Sequence, residues 1–129
     1  MRKRSALRRI VLLFAMCALL VTSVTACGPK KLFNAGTYTA TVGGFNGPIV
    51  VEVSFSEQKI LSVKILEHME TEYIAAPAFE KIPAAIVKDQ KLNVDIVSGA
   101  SYTSDAIIAA VKECVKKAGG DVDALIKRK

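Results

Sequence analysis

Four hydroxyl side chains crowd positions 98–104, and their types and spacing make this the segment best suited to chemistry. They are Ser98, Ser101, Thr103 and Ser104, and they surround the small pair Gly99-Ala100. An amphipathic run over 105–118 follows and predicts a helix. The first N–H groups of a helix lack partners within it and favour a negative group. The segment therefore predicts a helix start that can bind an anion such as a phosphate.

The same residues also fit an ordinary helix start. In that interpretation Thr103 or Ser104 is the N-cap, Asp105 interacts with the helix dipole, and the other hydroxyls face water. The segment alone does not separate the two interpretations.

Three predicted strands precede this helix. Residues 37–42 read as the first strand, and the glycine-rich residues 43–48 as its turn. Two alternating patterns predict the next two strands. Their apolar positions are Val51, Val53 and Phe55, then Leu61, Val63 and Ile65. The runs predict an antiparallel meander.

Helical patterns take over in the second half. Pro77 can open a helix, which Pro83 either kinks or ends by starting a second one. The helix over 105–118 ends at Gly119-Gly120, and residues 122–126 form a short final turn. The apolar face of the helix over 105–118 comprises Ile107, Ile108, Val111, Val115 and Ala118. Strands first and helices second predict an α+β fold, with helices covering one face of the sheet.

Five segments, taken in order, resemble the FMN-binding domain family, which includes flavin subunits of ion-pumping oxidoreductases and lipoproteins of extracellular electron transfer. They are residues 36–40, 48–53, 60–71 with His68-Met69-Glu70-Thr71 at the end, 77–83 and 94–104. The last is the most specific. In the family it reads Asp, two residues, Ser or Thr, Gly, Ala, Thr or Ser, one residue, then Ser or Thr.

This resemblance implies that a flavin transferase uses FAD to attach FMN, through its phosphate, to Ser101. Many family members have Thr at this position, and both residues supply an alcohol for a phosphoester bond. The transferase recognition motif would comprise Asp95, Ser98, Gly99, Ala100, Ser101 and Thr103. The implied cofactor-binding residues are Ser98, Gly99, Ala100, Tyr102, Thr103, Ser104 and His68.

Three side chains carry open alternatives. His68 lies either near the flavin ring, where it influences proton or electron affinity, or at a solvated strand end. Tyr73 and Tyr102 either stack on the ring or serve as core or boundary aromatics.

The N-terminus predicts export. Basic residues within 2–9 precede an apolar run over 10–21, and Val24-Thr25-Ala26-Cys27 resembles a bacterial lipobox. We therefore expect a signal peptide at 1–26, a tether at 27–35 lipidated on Cys27, and an FMN-binding domain at 36–129. An uncleaved anchor helix is the alternative, and both place the domain on the outer face of a cell membrane. Lys30 and Lys31 could contact anionic headgroups.

Composition narrows the function further. The chain has 18 Lys and Arg against 12 Asp and Glu, and its leader holds five of the basic residues. The remainder, 13 against 12, carries about +1, which disfavours nucleic-acid binding. Cys114 is the one cysteine left after the leader and Cys27; it is either a small core residue or an exposed redox thiol. No metal-ligand cluster stands out.

The sequence predicts a redox carrier rather than a stand-alone enzyme, since no nucleophile paired with a base and no carboxylate pair is evident. We expect a membrane-tethered, extracytoplasmic carrier that accepts electrons from a quinol or a dehydrogenase. The alternatives are a flavin module of a reductase complex and a flavin-free ligand-binding or structural lipoprotein.

Overall fold

Three strands come first in the chain and three helices follow. The computed structural model describes residues 28–129, so the predicted signal peptide and Cys27 lie outside the described part. The elements are β1 (Gly36–Gly43), β2 (Pro48–Phe55), β3 (Ile60–Glu67), α1 (Glu72–Asp89), α2 (Ser101–Lys117) and α3 (Val122–Lys127).

The strands form one antiparallel sheet in the order β1-β2-β3, which confirms the predicted meander. The central strand β2 buries every second residue: Ile49, Val51, Val53 and Phe55. The side chains between them point to the opposite, more open face, so only one face of the sheet carries the core.

A register shift at the end of β2 changes which residues of β3 are buried. Ser54 pairs with Ser62, but Phe55 pairs with Ile60, so Leu61 has no partner opposite it. Ile60 is therefore buried, whereas Leu61 is 49% exposed. The prediction that Leu61 shares a buried row with Val63 was wrong because a bulge adds one residue to the strand.

Both long helices cover the apolar face of the sheet and pack against each other, which confirms the α+β architecture. α2 lies on β1 and β2, and α1 lies on β3. The predicted face of α2 is buried at Ile107, Ile108, Val111, Val115 and Ala118. Cys114 shares this face, and burial raises the pKa of its thiol. It is a core residue.

α1 is longer than the prolines suggested. It begins at Glu72, five residues before Pro77, and runs through Pro83 as a single helix. Each proline removes one backbone hydrogen bond. Burial of Ala78, Ile82 and Ile86 against the sheet offsets this cost, because packing decides most helical stability in proteins.

The packed body begins before the predicted domain boundary at Gly36. Phe33 is 3% exposed, and its ring centroid lies 4.8 Å from that of Phe55. The amides of Leu32 and Phe33 donate to the carbonyl of Glu57. Of the predicted tether, only residues 27–31 precede this packed segment in the sequence.

α2 ends just before Gly119-Gly120, as the sequence predicted. The amides of Gly119 and Gly120 donate to the carbonyls of Lys116 and Val115, which is a Schellman end. α3 then packs Leu125 into the core. Residues 28–129 thus hold all six elements around one continuous core, as a domain able to fold alone requires.

Candidate functional site

α2 begins at Ser101, four residues before the predicted start at Asp105. Its N-cap is Ala100, not Thr103 or Ser104, and no side chain caps it. The four residues 101–104 therefore form the first turn of the helix. The N–H groups of the first positions have no partner inside the helix, and no acidic residue lies in this turn.

Gly99 sets the direction of this helix start. Its φ is +84°, a conformation that residues with a side chain rarely adopt. A Cβ built on Gly99 would meet nothing within 4 Å, so the backbone is open to a ligand. Within the turn, the Ser104 hydroxyl donates to the carbonyl of Ala100 at 2.8 Å. It also accepts the amide of Val97 at 3.2 Å.

The four hydroxyls of this segment differ in exposure. Thr103 and Ser104 are buried, at 3% and 0%, and both are hydrogen-bonded. Ser98 and Ser101 are exposed. Within the described part of the chain, the hydroxyl of Ser101 has no hydrogen-bond partner.

A cavity of about 410 Å³ opens beside this turn. Residues 99–103 form one wall, Phe45 and Asn46 of the β1–β2 turn a second, and Glu70, Thr71, Ile74 and Ala75 the third. Cavities of 300–1,000 Å³ are typical of small-molecule sites. Ser101 and the other residues at the start of α2 thus line the same space.

Glu70 ties the three walls together. One carboxylate oxygen accepts the Thr103 hydroxyl at 2.8 Å. The other accepts the amide of Asn46 at 2.9 Å. A Cβ on Gly44 would lie 2.5 Å from this carboxylate, so the turn approaches it closely only because position 44 lacks a side chain.

Two exposed aromatic rings frame the mouth of the cavity. Phe45 is 73% and Tyr102 is 61% exposed, and their ring centroids lie 5.8 Å apart in an edge-to-face arrangement. Exposed apolar groups gathered at one place mark binding sites more often than ordinary surface.

Residues 44–116 match the family model described as the FMN-binding domain. The match spans more than half of the chain. This protein belongs to the FMN-binding domain family.

Three relatives align with most of the described part of this chain. The chain is 46% identical over 93 residues to an NADH:acrylate oxidoreductase of Vibrio harveyi. It is 36% identical over 91 residues to an uncharacterized protein of Treponema pallidum (strain Nichols). It is also 33% identical over 85 residues to a urocanate reductase of Eggerthella lenta. The matches cover 72%, 70% and 66% of this chain.

Each of these relatives is much longer than the region it shares. The aligned region covers 9%, 25% and 14% of their respective lengths. What they share with this chain is the flavin-binding domain, which supports a flavin-binding, electron-transfer role.

The cavity fits FMN in its chemistry. The first turn of α2 offers backbone donors and a positive dipole end to the phosphate. Phe45 and Tyr102 offer apolar surface to the ring system. Gly99 has no side chain, so a ligand can approach the backbone at this position.

The residues of the predicted motif line two different cavities. Gly99, Ala100, Ser101, Tyr102 and Thr103 line the cavity. Asp95 and Ser98 instead line a separate groove along α1, of about 410 Å³, next to Lys81 and Lys91. Ser104 lies beneath the turn and stabilises it from inside.

His68 and Tyr73 do not line the cavity. The His68 ring lies 4.4 Å from that of Phe79, and its Nε2 is 3.5 Å from a Glu72 oxygen. Its Nδ1 is buried and has no hydrogen-bond partner among the described residues. Tyr73 is 82% exposed. A flavin role for either remains a prediction.

Sequence reasoning missed Phe45, Asn46 and Ile74, and it singled out Glu70 only as part of the family pattern. Phe45 carried a signal: an aromatic residue in a glycine-rich turn has few reasons to be there except contact with something else. Asn46 and Ile74 carried none. Within residues 28–129, no group of three or more His, Cys, Asp or Glu is arranged to hold a metal ion.

Proposed function

We propose that this protein is a membrane-tethered electron carrier on the outer face of the cell membrane, with FMN bound covalently through its phosphate to Ser101. One observation carries the attachment site. Among the four hydroxyls of positions 98–104, only that of Ser101 is both exposed and on the cavity wall.

The attachment step follows from this position. The Ser101 hydroxyl attacks the FMN phosphorus of FAD, the new O–P bond forms, the pyrophosphate bond breaks, and AMP leaves. The hydroxyl proton passes to a base of the flavin transferase, which also supplies the metal ions that phosphoryl transfer requires. This chain is the substrate of that reaction. The first-turn amides of α2 then stabilise the phosphoester charge.

FMN, when bound, supplies the electron transfer itself. The residues of this chain position it. Phe45 and Tyr102 would hold the ring system at the cavity mouth, and Glu70 holds the two walls that carry them. The covalent bond keeps the cofactor attached outside the cell, where a dissociated flavin would be lost by dilution.

The membrane location is supported by the sequence of the leader. The lipobox ending at Cys27 is followed by only four residues before the packed Leu32. None of the helices in residues 28–129 is both long and apolar enough to cross a bilayer. We propose that a diacylated Cys27 holds the domain at the membrane, where a quinol or a dehydrogenase reduces it.

A reductase module is the second candidate, and the names of two relatives favour it. In those longer proteins the shared domain covers 9% and 14% of the chain. This protein would then pass electrons to a separate catalytic partner. Purification from the native host distinguishes the two: a stable complex with a reductase subunit supports the module, and a free flavoprotein supports the carrier.

The test of the attachment site uses a pair of serine variants produced together with a flavin transferase and FAD. Ser101→Ala is expected to abolish flavin fluorescence on a denaturing gel. Ser62→Ala is the control, since Ser62 lies on β3, outside both the motif and the cavity lining, and it should retain fluorescence. Fluorescence retained by Ser101→Ala would assign the bond to another residue. A colourless wild-type protein would instead support the flavin-free alternative.

A further inference from the structure

The charged residues of this domain are distributed unequally between its two ends. The β1–β2 turn, the end of β3 and the starts of both long helices meet around the cavity, so residues 43–48, 67–75 and 97–105 form the cavity end. The opposite end, which we call the basal end, comprises residues 28–35, 56–59, 88–92 and 116–129. Hydrogen bonds from Leu32 to Glu57, from Asn34 to Ala118 and from Leu92 to Leu125 join its segments.

The two ends have opposite charge. The basal end holds ten Lys or Arg and four Asp or Glu, whereas the cavity end holds four Asp or Glu and neither Lys nor Arg. The net charge of about +1 for the chain without its leader does not reveal this separation. A domain with this distribution has one strongly basic surface and one acidic surface.

Most of the basal cations are free to meet an external anion. Lys31 pairs with Glu57 at 3.4 Å, and Lys116 pairs with Glu113 at 2.9 Å. Within residues 28–129, the ammonium groups of Lys30, Lys59 and Lys127 have no carboxylate within 4 Å. A groove of about 220 Å³ lies between residues 30–33 and α3, and its lining includes Leu32 and Leu125 together with Lys30, Arg128 and Asp121.

The sequence that precedes the described part of the chain indicates which partner the basal end would meet. Residue 28 belongs to the basal end, and the apolar run over 10–21 and Cys27 precede it in the sequence. Four residues reach at most about 14 Å when extended. Any membrane attachment through this leader therefore brings the basal end, not the cavity end, against the bilayer.

We propose that the basal end binds the surface of an anionic phospholipid bilayer, so that the cavity faces away from the membrane. α2 has 17 residues, and at 1.5 Å per residue it separates the two ends by about 25 Å. The cavity is then presented to electron-transfer partners outside the bilayer. This surface is remote from Ser101, so bilayer binding and flavin attachment can be tested independently of each other.

The test uses residues 28–129, which lack the lipid anchor, with vesicles of phosphatidylcholine alone or mixed with phosphatidylglycerol. We expect sedimentation with the mixed vesicles only, weakened by high salt because the attraction is screened. Each basic residue near an anionic surface contributes roughly a fivefold change in partitioning.

Two triple variants with the same net charge separate a basal surface from general attraction. Lys30→Glu/Lys59→Glu/Lys127→Glu alters the basal end and should lower partitioning at least about a hundredfold. Lys64→Glu/Lys81→Glu/Lys112→Glu alters the middle of the domain and should lower it much less. Circular dichroism checks both folds, and the corresponding Gln variants replace any triple that does not fold.

Equal losses in the two triples would overturn the proposal, as would equal binding to both kinds of vesicle or binding to neither. Sedimentation equilibrium addresses a second copy as the occupant. Self-association that the basal triple abolishes, without vesicle binding, would also overturn the bilayer as the partner.

Discussion

The hydroxyls of Ser101 and Ser104 are three residues apart but lie in opposite environments. Ser101 is exposed on the cavity wall. Ser104 is fully buried and joins the loop before α2 to the first turn of the helix. At the residue scale, the site thus combines one exposed hydroxyl, the proposed attachment point, with one structural hydroxyl.

Replacing Ser104 with Ala should destabilise the domain by about 1–3 kcal/mol, because the amide of Val97 loses its acceptor. Urea denaturation followed by circular dichroism measures the change. Ser98→Ala removes an exposed hydroxyl and should stay within about 0.5 kcal/mol of wild type. A neutral effect of Ser104→Ala would mean that water replaces the lost bond.

Replacing Glu70 with Ala should loosen the cavity, because both the Thr103 hydroxyl and the Asn46 amide lose a charged acceptor. We expect a loss of about 1–3 kcal/mol in the free energy of unfolding and a lower yield of covalent flavin. Glu67→Ala is the control, since Glu67 is exposed at the end of β3. If the two variants flavinylate equally, Glu70 has no role in positioning the site.

The sequence predicted the cavity residues that are contiguous in the chain and missed those that are distant. Residues 99–103 form a motif, so their neighbourhood is visible in the sequence. Phe45 and Glu70 reach the same cavity through the pairing of β1, β2 and β3. That proximity depends on strand register, which no local pattern reveals.

At the element scale, the start of α2 depends on one backbone conformation. Gly99→Ala places a side chain at φ +84° and should cost about 1–2 kcal/mol. The added methyl group meets no atom, so the cost comes from the backbone and not from a clash. Thermal unfolding measures it. Gly43→Ala is the control, because Gly43 has an ordinary φ and equally open space; equal losses would contradict this explanation.

The packing of α2 predicts an unreactive thiol. Burial raises the pKa of Cys114, which keeps it protonated, and the surrounding core excludes reagents. In residues 28–129 this is the single cysteine, and its reaction with a disulfide reagent near pH 8 should be at least about a thousandfold slower than in denaturant. Comparable rates in the two conditions would show that the α2 face opens readily.

The elements were predicted best where one pattern controls them. The alternation of β2 and the apolar face of α2 follow from simple periodicity, and both were correct. The starts of α1 and α2 were misplaced for different reasons. Pro77 suggested a helix start, yet packing carries the helix through it. Ser101 lacked a capping side chain before it, so the sequence offered no boundary signal.

At the scale of the whole molecule, the proposed membrane attachment and the proposed flavin site lie at opposite ends of the domain. Residues 28–31 belong to the basal end, while the cavity opens about 25 Å away, along the length of α2. In the longer relatives, the shared domain is part of one chain with other regions. In the proposal made above, the lipidated leader and the charged basal end hold this domain at the membrane.

The most direct measurement of the central claim is the mass of the protein after production with a flavin transferase and FAD, followed by fragmentation. We predict an added mass of one FMN less one water, located on Ser101 in the fragment spanning residues 98–104. A mass without the adduct under these conditions, or an adduct on any other residue, would contradict the account.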